Sequence, residues 1–138
     1  MRRLIAAVFV ASFFAAVLPA RCEEDKVLLY QADAWLGGTN QWWLPKDRLE
    51  RLPRWKNTEK APPLSLIRAI KIARKWIHSK GHGGDIDQIL LRLVNPDALE
   101  PELHSTFFYA IEFGVAPYGN HITCVVLMDG TALEPLQM

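Results

Sequence analysis

Ser65-Leu66-Ile67-Arg68-Ala69-Ile70-Lys71-Ile72-Ala73-Arg74-Lys75-Trp76-Ile77-His78-Ser79-Lys80 is the stretch on which the fold turns. Leu66, Ala69, Ile70, Ala73, Trp76 and Ile77 recur at three- and four-residue spacing, which on a helix makes one apolar stripe. Arg68, Lys71, Arg74 and Lys75 fall mostly off that stripe. Ser65 offers a hydroxyl to an early backbone amide, as an N-cap does. Lys80 suits the negative end of the helix, and Gly81 supplies a left-handed stop. The stretch predicts an amphipathic helix from Ser65 to about Lys80.

Downstream the period changes. Asp85 to Val94 fits a helix through Ile86, Ile89, Leu90 and Leu93, and a strand through Ile89, Leu91 and Leu93. Its shortness, Gly83-Gly84 before it and Pro96 after it favour the strand. Thr106 to Phe113 alternates: Phe107, Tyr109, Ile111 and Phe113 share one face, and Phe108, Ala110 and Glu112 the other. Ala116 to Asn120 reads as a turn-rich connection. Ile122 to Met128 is the next strand, and Asp129-Gly130 signals a hairpin into a short Thr131–Glu134 strand. The expected fold is α+β. One amphipathic helix packs on a small antiparallel sheet of three to four strands, preceded by a Trp-rich irregular segment.

The Leu64-Ser65-Leu66 start, Ala69 and Ala73, the run Phe107 to Phe113, and Val125-Val126-Leu127-Met128-Asp129-Gly130-Thr131 resemble the PepSY-like group of small envelope domains. They are also similar to secreted bacterial proteins whose last strand ends in Met-Asp-Gly. The resemblance covers about residues 63 to 135. It implies a non-catalytic domain, since some members of the group are inhibitory pro-segments of peptidases and others are proposed periplasmic regulators. It carries over no set of functional residues.

Upstream, the composition shifts. Residues 21 to 62 are rich in tryptophan and broken by turn formers. Val27 to Tyr30 reads as a short strand, Gly37-Gly38-Thr39-Asn40 as a turn, and Pro45 to Leu52 as helical turns with Leu49 and Leu52 on one face. Lys56 to Pro63 reads as a connector. At the start, Arg2 and Arg3 precede an apolar run from Leu4 to Leu18, followed by Pro19 and Ala20. A positive start, an apolar stretch and a small residue describe a secretory signal peptide cut after Ala20. The alternative is an uncleaved anchor, although the run falls short of the roughly 20 residues a span needs. The expected organisation is therefore a signal peptide at 1–20, a Trp-rich segment at 21–62 and the PepSY-like domain at 63–138. The expected location is periplasmic or extracellular, with no membrane span after cleavage.

Composition narrows the function. The 138 residues are 50% hydrophobic, 10% aromatic and 22% charged, with a net charge of +1. Removing Arg2 and Arg3 with the signal leaves 14 basic against 15 acidic residues. No basic excess points to nucleic acid. No Gly-x-Ser-x-Gly, phosphate loop or Gly-x-Gly-x-x-Gly occurs, so no catalytic residue is assigned.

His78 and His82 have the four-residue spacing of a helical metal pair, with Asp85 and Asp87 nearby, but Gly81 stops the helix between them. His104 stands apart from both. His121 and Cys124, three apart on one strand, point to opposite faces and cannot exchange a proton. No metal or cofactor is expected. Cys22 and Cys124 are a possible disulfide in an oxidising compartment; the other reading is a buried Cys124, beside Ile122 and Val126, and a free Cys22.

Two binding readings remain. The first is a non-catalytic binding or regulatory domain acting on an envelope or secreted protein through a sheet face or edge. The second is a carbohydrate- or peptide-binding module built on Trp35, Trp42, Trp43 and Trp55. Trp42 and Trp43 also fit the core, where adjacent residues rarely both bury.

Overall fold

Phe107–Val115 lies at the centre of the fold, with a strand paired along each side and a separate core on each face. A computed structural model describes residues 25–34, 37–56, 60–94, 105–115 and 120–137. In chain order the elements are β1 (Lys26–Asp33), β2 (Thr39–Pro45), α1 (Lys46–Glu50), α2 (Leu66–Ser79), β3 (Asp85–Leu93), β4 (Phe107–Val115), β5 (Asn120–Leu127), β6 (Ala132–Leu133) and β7 (Leu136–Gln137). They form two antiparallel sheets, ordered β1-β2-β7 and β3-β4-β5-β6. The fold is α+β, with two helices and more strand than helix among the described residues.

The alternation read in Thr106 to Phe113 holds on both faces. Tyr109, Ile111 and Phe113 bury beneath α2 with Cys124, Val126 and Met128. Phe108 and Ala110 bury on the opposite side, against Leu29, Trp42, Leu44, Leu49 and Leu52. The expectation of a single helix over one sheet is therefore corrected. The Trp-rich segment is a β-hairpin followed by a short helix, and it forms a layer of its own. The physical reason is that β4 is apolar on both faces. A helix on one side leaves Phe108 and Ala110 in water, and burying them stabilises each by about 25 cal/mol per Å².

α2 behaves as its sequence implies at both ends. The Ser65 hydroxyl accepts a hydrogen bond from the Arg68 amide at 3.4 Å. At the other end, Gly81 has φ +76 and donates to the His78 carbonyl, while the His82 amide reaches the Ile77 carbonyl. This is the paired closure of a Schellman stop, which satisfies two orphan carbonyls. Ala69, Ala73 and Ile77 are fully buried, and Ile72 and Trp76 flank them. Leu66, expected on the stripe, is 44% exposed. Leu64, just before the cap, fills that end of the core instead, and its carbonyl accepts from the Tyr109 hydroxyl at 3.0 Å.

The Asp129-Gly130 turn forms as read: Gly130 has φ +89 and its amide donates to the Leu127 carbonyl. The chain then crosses back, and β7 pairs with β2. No helix among the described residues is long and apolar enough to cross a membrane.

Candidate binding site

Trp42 and Trp43 do not share a surface. Trp42 and Trp43 follow one another in β2, so their rings leave opposite faces. Trp42 is fully buried against Tyr30, with ring centroids 5.7 Å apart, and its indole donates to the Leu133 carbonyl at 3.3 Å. As a surface residue it is corrected: it belongs to the core between the sheets. Trp43 is half-buried and donates to the Gln41 side chain at 3.0 Å. Trp55 is half-buried edge-on to Phe107 at 5.2 Å, with its indole nitrogen enclosed and unpartnered. Trp35 lies outside the described residues. Trp76 packs on the α2 core and donates to Glu134 at 3.0 Å.

Cys124 is fully buried with a free thiol, beside Ile122 and Val126. Its proposed disulfide partner, Cys22, lies outside the described residues. Burial, with Glu134 adding a smaller contribution, pushes the Cys124 thiol up to about 12. It therefore stays protonated and unreactive near neutrality.

The His78 ring nitrogen meets the Arg74 carbonyl at 2.7 Å. Asp87 turns to His121 at 3.1 Å. Among the described residues no three His, Cys, Asp or Glu side chains come together as a metal site. His104 lies outside the described residues.

Sequence reasoning allowed for a sheet edge as a partner surface but did not place it on β3. β3 pairs only with β4 among the described residues, so alternate amides and carbonyls along its outer side are unpaired. α2 lies chiefly over β5, with β4 and β6 beside it. Leu91, opposite Tyr109, is 42% exposed, and Leu93, opposite Phe107, is 38% exposed. Leu66 and Ile67, at the start of α2, are also exposed.

Round the edge, β1 is the outer strand of the other sheet. Between the two edges runs a cleft of about 340 Å³, lined by Leu28, Tyr30, Gln31, Arg92, Leu93 and Phe108. The Tyr30 hydroxyl donates to Glu112 at 3.2 Å. Burial, and then the negative Glu112, push the Tyr30 phenol up, so it remains a neutral donor. The arrangement joins unpaired backbone, apolar side chains and one cation, which suits an extended peptide.

The chain matches no family model, no curated protein and no solved structure. Function therefore rests on the geometry of this edge and on the sequence.

Proposed function

We propose that this chain is an exported, non-catalytic binding domain that accepts an extended segment of an envelope or secreted protein along the β3 edge. The observation that supports it most directly is the pairing of an open strand edge with Leu91 and Leu93 left in water. Exposed leucines on an edge strand are an aggregation hazard that proteins ordinarily blunt, so their presence here favours use in binding. Strand addition would supply backbone hydrogen bonds for affinity and side-chain pockets for specificity. The resemblance to PepSY-like envelope domains supports the same non-catalytic reading. In this reading the leader is removed after Ala20 and the mature chain starts at Arg21.

The test is capture from envelope extract, followed by hydrogen exchange on the complex. A bound segment should slow exchange of amides 85–93. Leu91→Asp should keep the fold and lose the partner, while Trp43→Ala should keep both. Slowed exchange confined to β2 would refute the edge and restore the tryptophan-based alternative.

A further inference from the structure

We infer that the outward face of α2 is a docking surface for an anionic phospholipid bilayer, which the folded domain binds as a peripheral protein. The inference goes beyond the strand-addition reading and does not depend on it. Residues 60–84 contain six basic residues, Lys60, Arg68, Lys71, Arg74, Lys75 and Lys80, and no Asp or Glu. Residues 85–138 contain one, Arg92, against eight acidic residues. A chain that is near neutral as a whole therefore carries its two signs on separate parts, with the basic part centred on α2. At 3.6 residues per turn, Ile67, Arg68, Lys71, Arg74 and Lys75 fall within one arc of about 120°, opposite Ala69, Ala73 and Ile77. All five are exposed, and the opposite three are fully buried. Lys80 turns aside to Glu134 at 2.8 Å. Among the described residues no carboxylate pairs with the four cations of the arc.

A helix face that only meets water ordinarily mixes its charges, with acids near the N-terminus and Glu–Lys pairs at four-residue spacing. α2 does neither. Its first turn holds Arg68 and no acid, and Arg68–Lys71, Lys71–Arg74 and Lys71–Lys75 are like-charge neighbours. Each pair weakens the helix by itself. An anionic surface turns the repulsion into attraction, since every cation near the headgroups adds to binding. Shape and apolar exposure select a bilayer over a soluble polyanion. The arc is the convex side of a helix about 21 Å long, so it meets a plane with all its cations and offers no groove to a chain. Ile67, within the arc, is 68% exposed, and Leu66 beside it is 44% exposed. An isoleucine among cations gains little from a phosphate or carboxylate chain in water, whereas beneath lipid headgroups it meets hydrocarbon. The acidic residues of 85–138 are repelled by the same surface, which orients α2 toward it.

The experiment is vesicle cosedimentation of the protein recovered after export. It uses vesicles of phosphatidylcholine alone and of phosphatidylcholine with phosphatidylglycerol in equal parts. Wild type should bind the anionic vesicles and leave the neutral ones. Raising salt from about 0.1 to about 1 M shortens the Debye length from about 10 to about 3 Å and should release it. Lys71→Glu should weaken binding at least about tenfold. The same change sets Glu four residues before Lys75, so the variant should melt no lower than wild type, which separates lost binding from lost fold. Lys75→Glu gives a second route at another exposed position. Lys26→Glu, on β1 of the other sheet, should bind as wild type does. Ile67→Ser should weaken binding to the anionic vesicles severalfold. Wild type that binds the two kinds of vesicle equally, or a Lys71→Glu chain that binds the anionic ones as wild type does, would overturn the inference. An Ile67→Ser chain that binds as wild type does would overturn it too. Wild type that ignores vesicles yet is retained by polyglutamate or duplex DNA would sink the bilayer and make the face a site for a soluble polyanion.

Discussion

The Asp87 carboxylate reaches the His121 ring at 3.1 Å by crossing the bare backbone of Gly114. The two residues belong to β3 and β5, and β4 runs between them. Three features make the contact: the bulge that adds Asp87, the register that sets His121 opposite Gly114, and the absence of a side chain at Gly114. A Cβ there would run into the Asp87 carboxylate.

Gly114→Ala should therefore displace Asp87 and break the pair. Both partners are about half exposed, and such pairs contribute about 1 kcal/mol at most. Gly84→Ala should cost more, about 1–3 kcal/mol, because its new Cβ meets the Gly114 carbonyl, which is backbone and cannot swing aside. Thermal melting of the two variants checks the order. Equal losses would mean that the strands shift freely at this end of the sheet.

Trp42 and Trp43 should separate sharply. Trp42→Ala opens a cavity between the sheets and orphans the Leu133 carbonyl, at a cost of about 3–5 kcal/mol. Trp43→Ala removes a half-buried ring whose indole bonds only to Gln41, and should cost about 1 kcal/mol or less. Urea unfolding of both single variants measures the difference. A stable Trp42→Ala chain would show that the hairpin does not pack as described.

The fold was legible where one period ran unbroken. α2 kept its 3.6-residue stripe from Ala69 to Ile77, and β4 kept its alternation of aromatic and small residues. Legibility failed where a bulge reset the count. Leu29 is the extra residue between Leu28 and Tyr30, so the inward positions of β1 change parity midway. Asp87 does the same in β3, which is why that stretch fitted helix and strand alike. The tryptophans misled in a different way. An indole reads the same in core and on surface, and only the pairing of β2 with β1 decides that Trp42 turns inward. A sheet edge was anticipated as a partner surface, but nothing in the sequence showed that β3 would be the one left open. Leu91 and Leu93 read as core residues, because exposure depends on which strand lies alongside and on where α2 comes to rest.

α2 offers a sharp contrast between adjacent turns. Ala73 is fully buried against the sheet, whereas Ile67 is 68% exposed. Ala73→Asp should cost several kcal/mol, on the order of 3 or more, because an unpaired charge enters the core. Ile67→Asp should stay within about 0.5 kcal/mol. Melting curves that moved together would mean the helix is not seated on Tyr109 and Val126.

Cys124 predicts how stability depends on pH. Its thiol is fully buried and pushed up to about 12, first by desolvation and then by Glu134. In the unfolded chain the same thiol ionises near about 8.5. Below that value both states hold the proton and Cys124 adds no pH dependence. Above it the unfolded chain releases the proton and the folded chain keeps it. Unfolding is then favoured by about 1.4 kcal/mol for each pH unit, until the folded thiol titrates too. Tyr30 and Tyr109, whose phenols are also pushed up by burial, add to the loss above about pH 10. Urea unfolding at about pH 8, 9 and 10 in a Cys22→Ser background should show stability flat at first and then falling. Adding Cys124→Ala should lower overall stability, because a small cavity opens under α2, yet make the decline between the last two points shallower. Parallel declines in the two backgrounds would show that Cys124 ionises as easily in the folded protein as in the unfolded one, and that water reaches the core beneath α2.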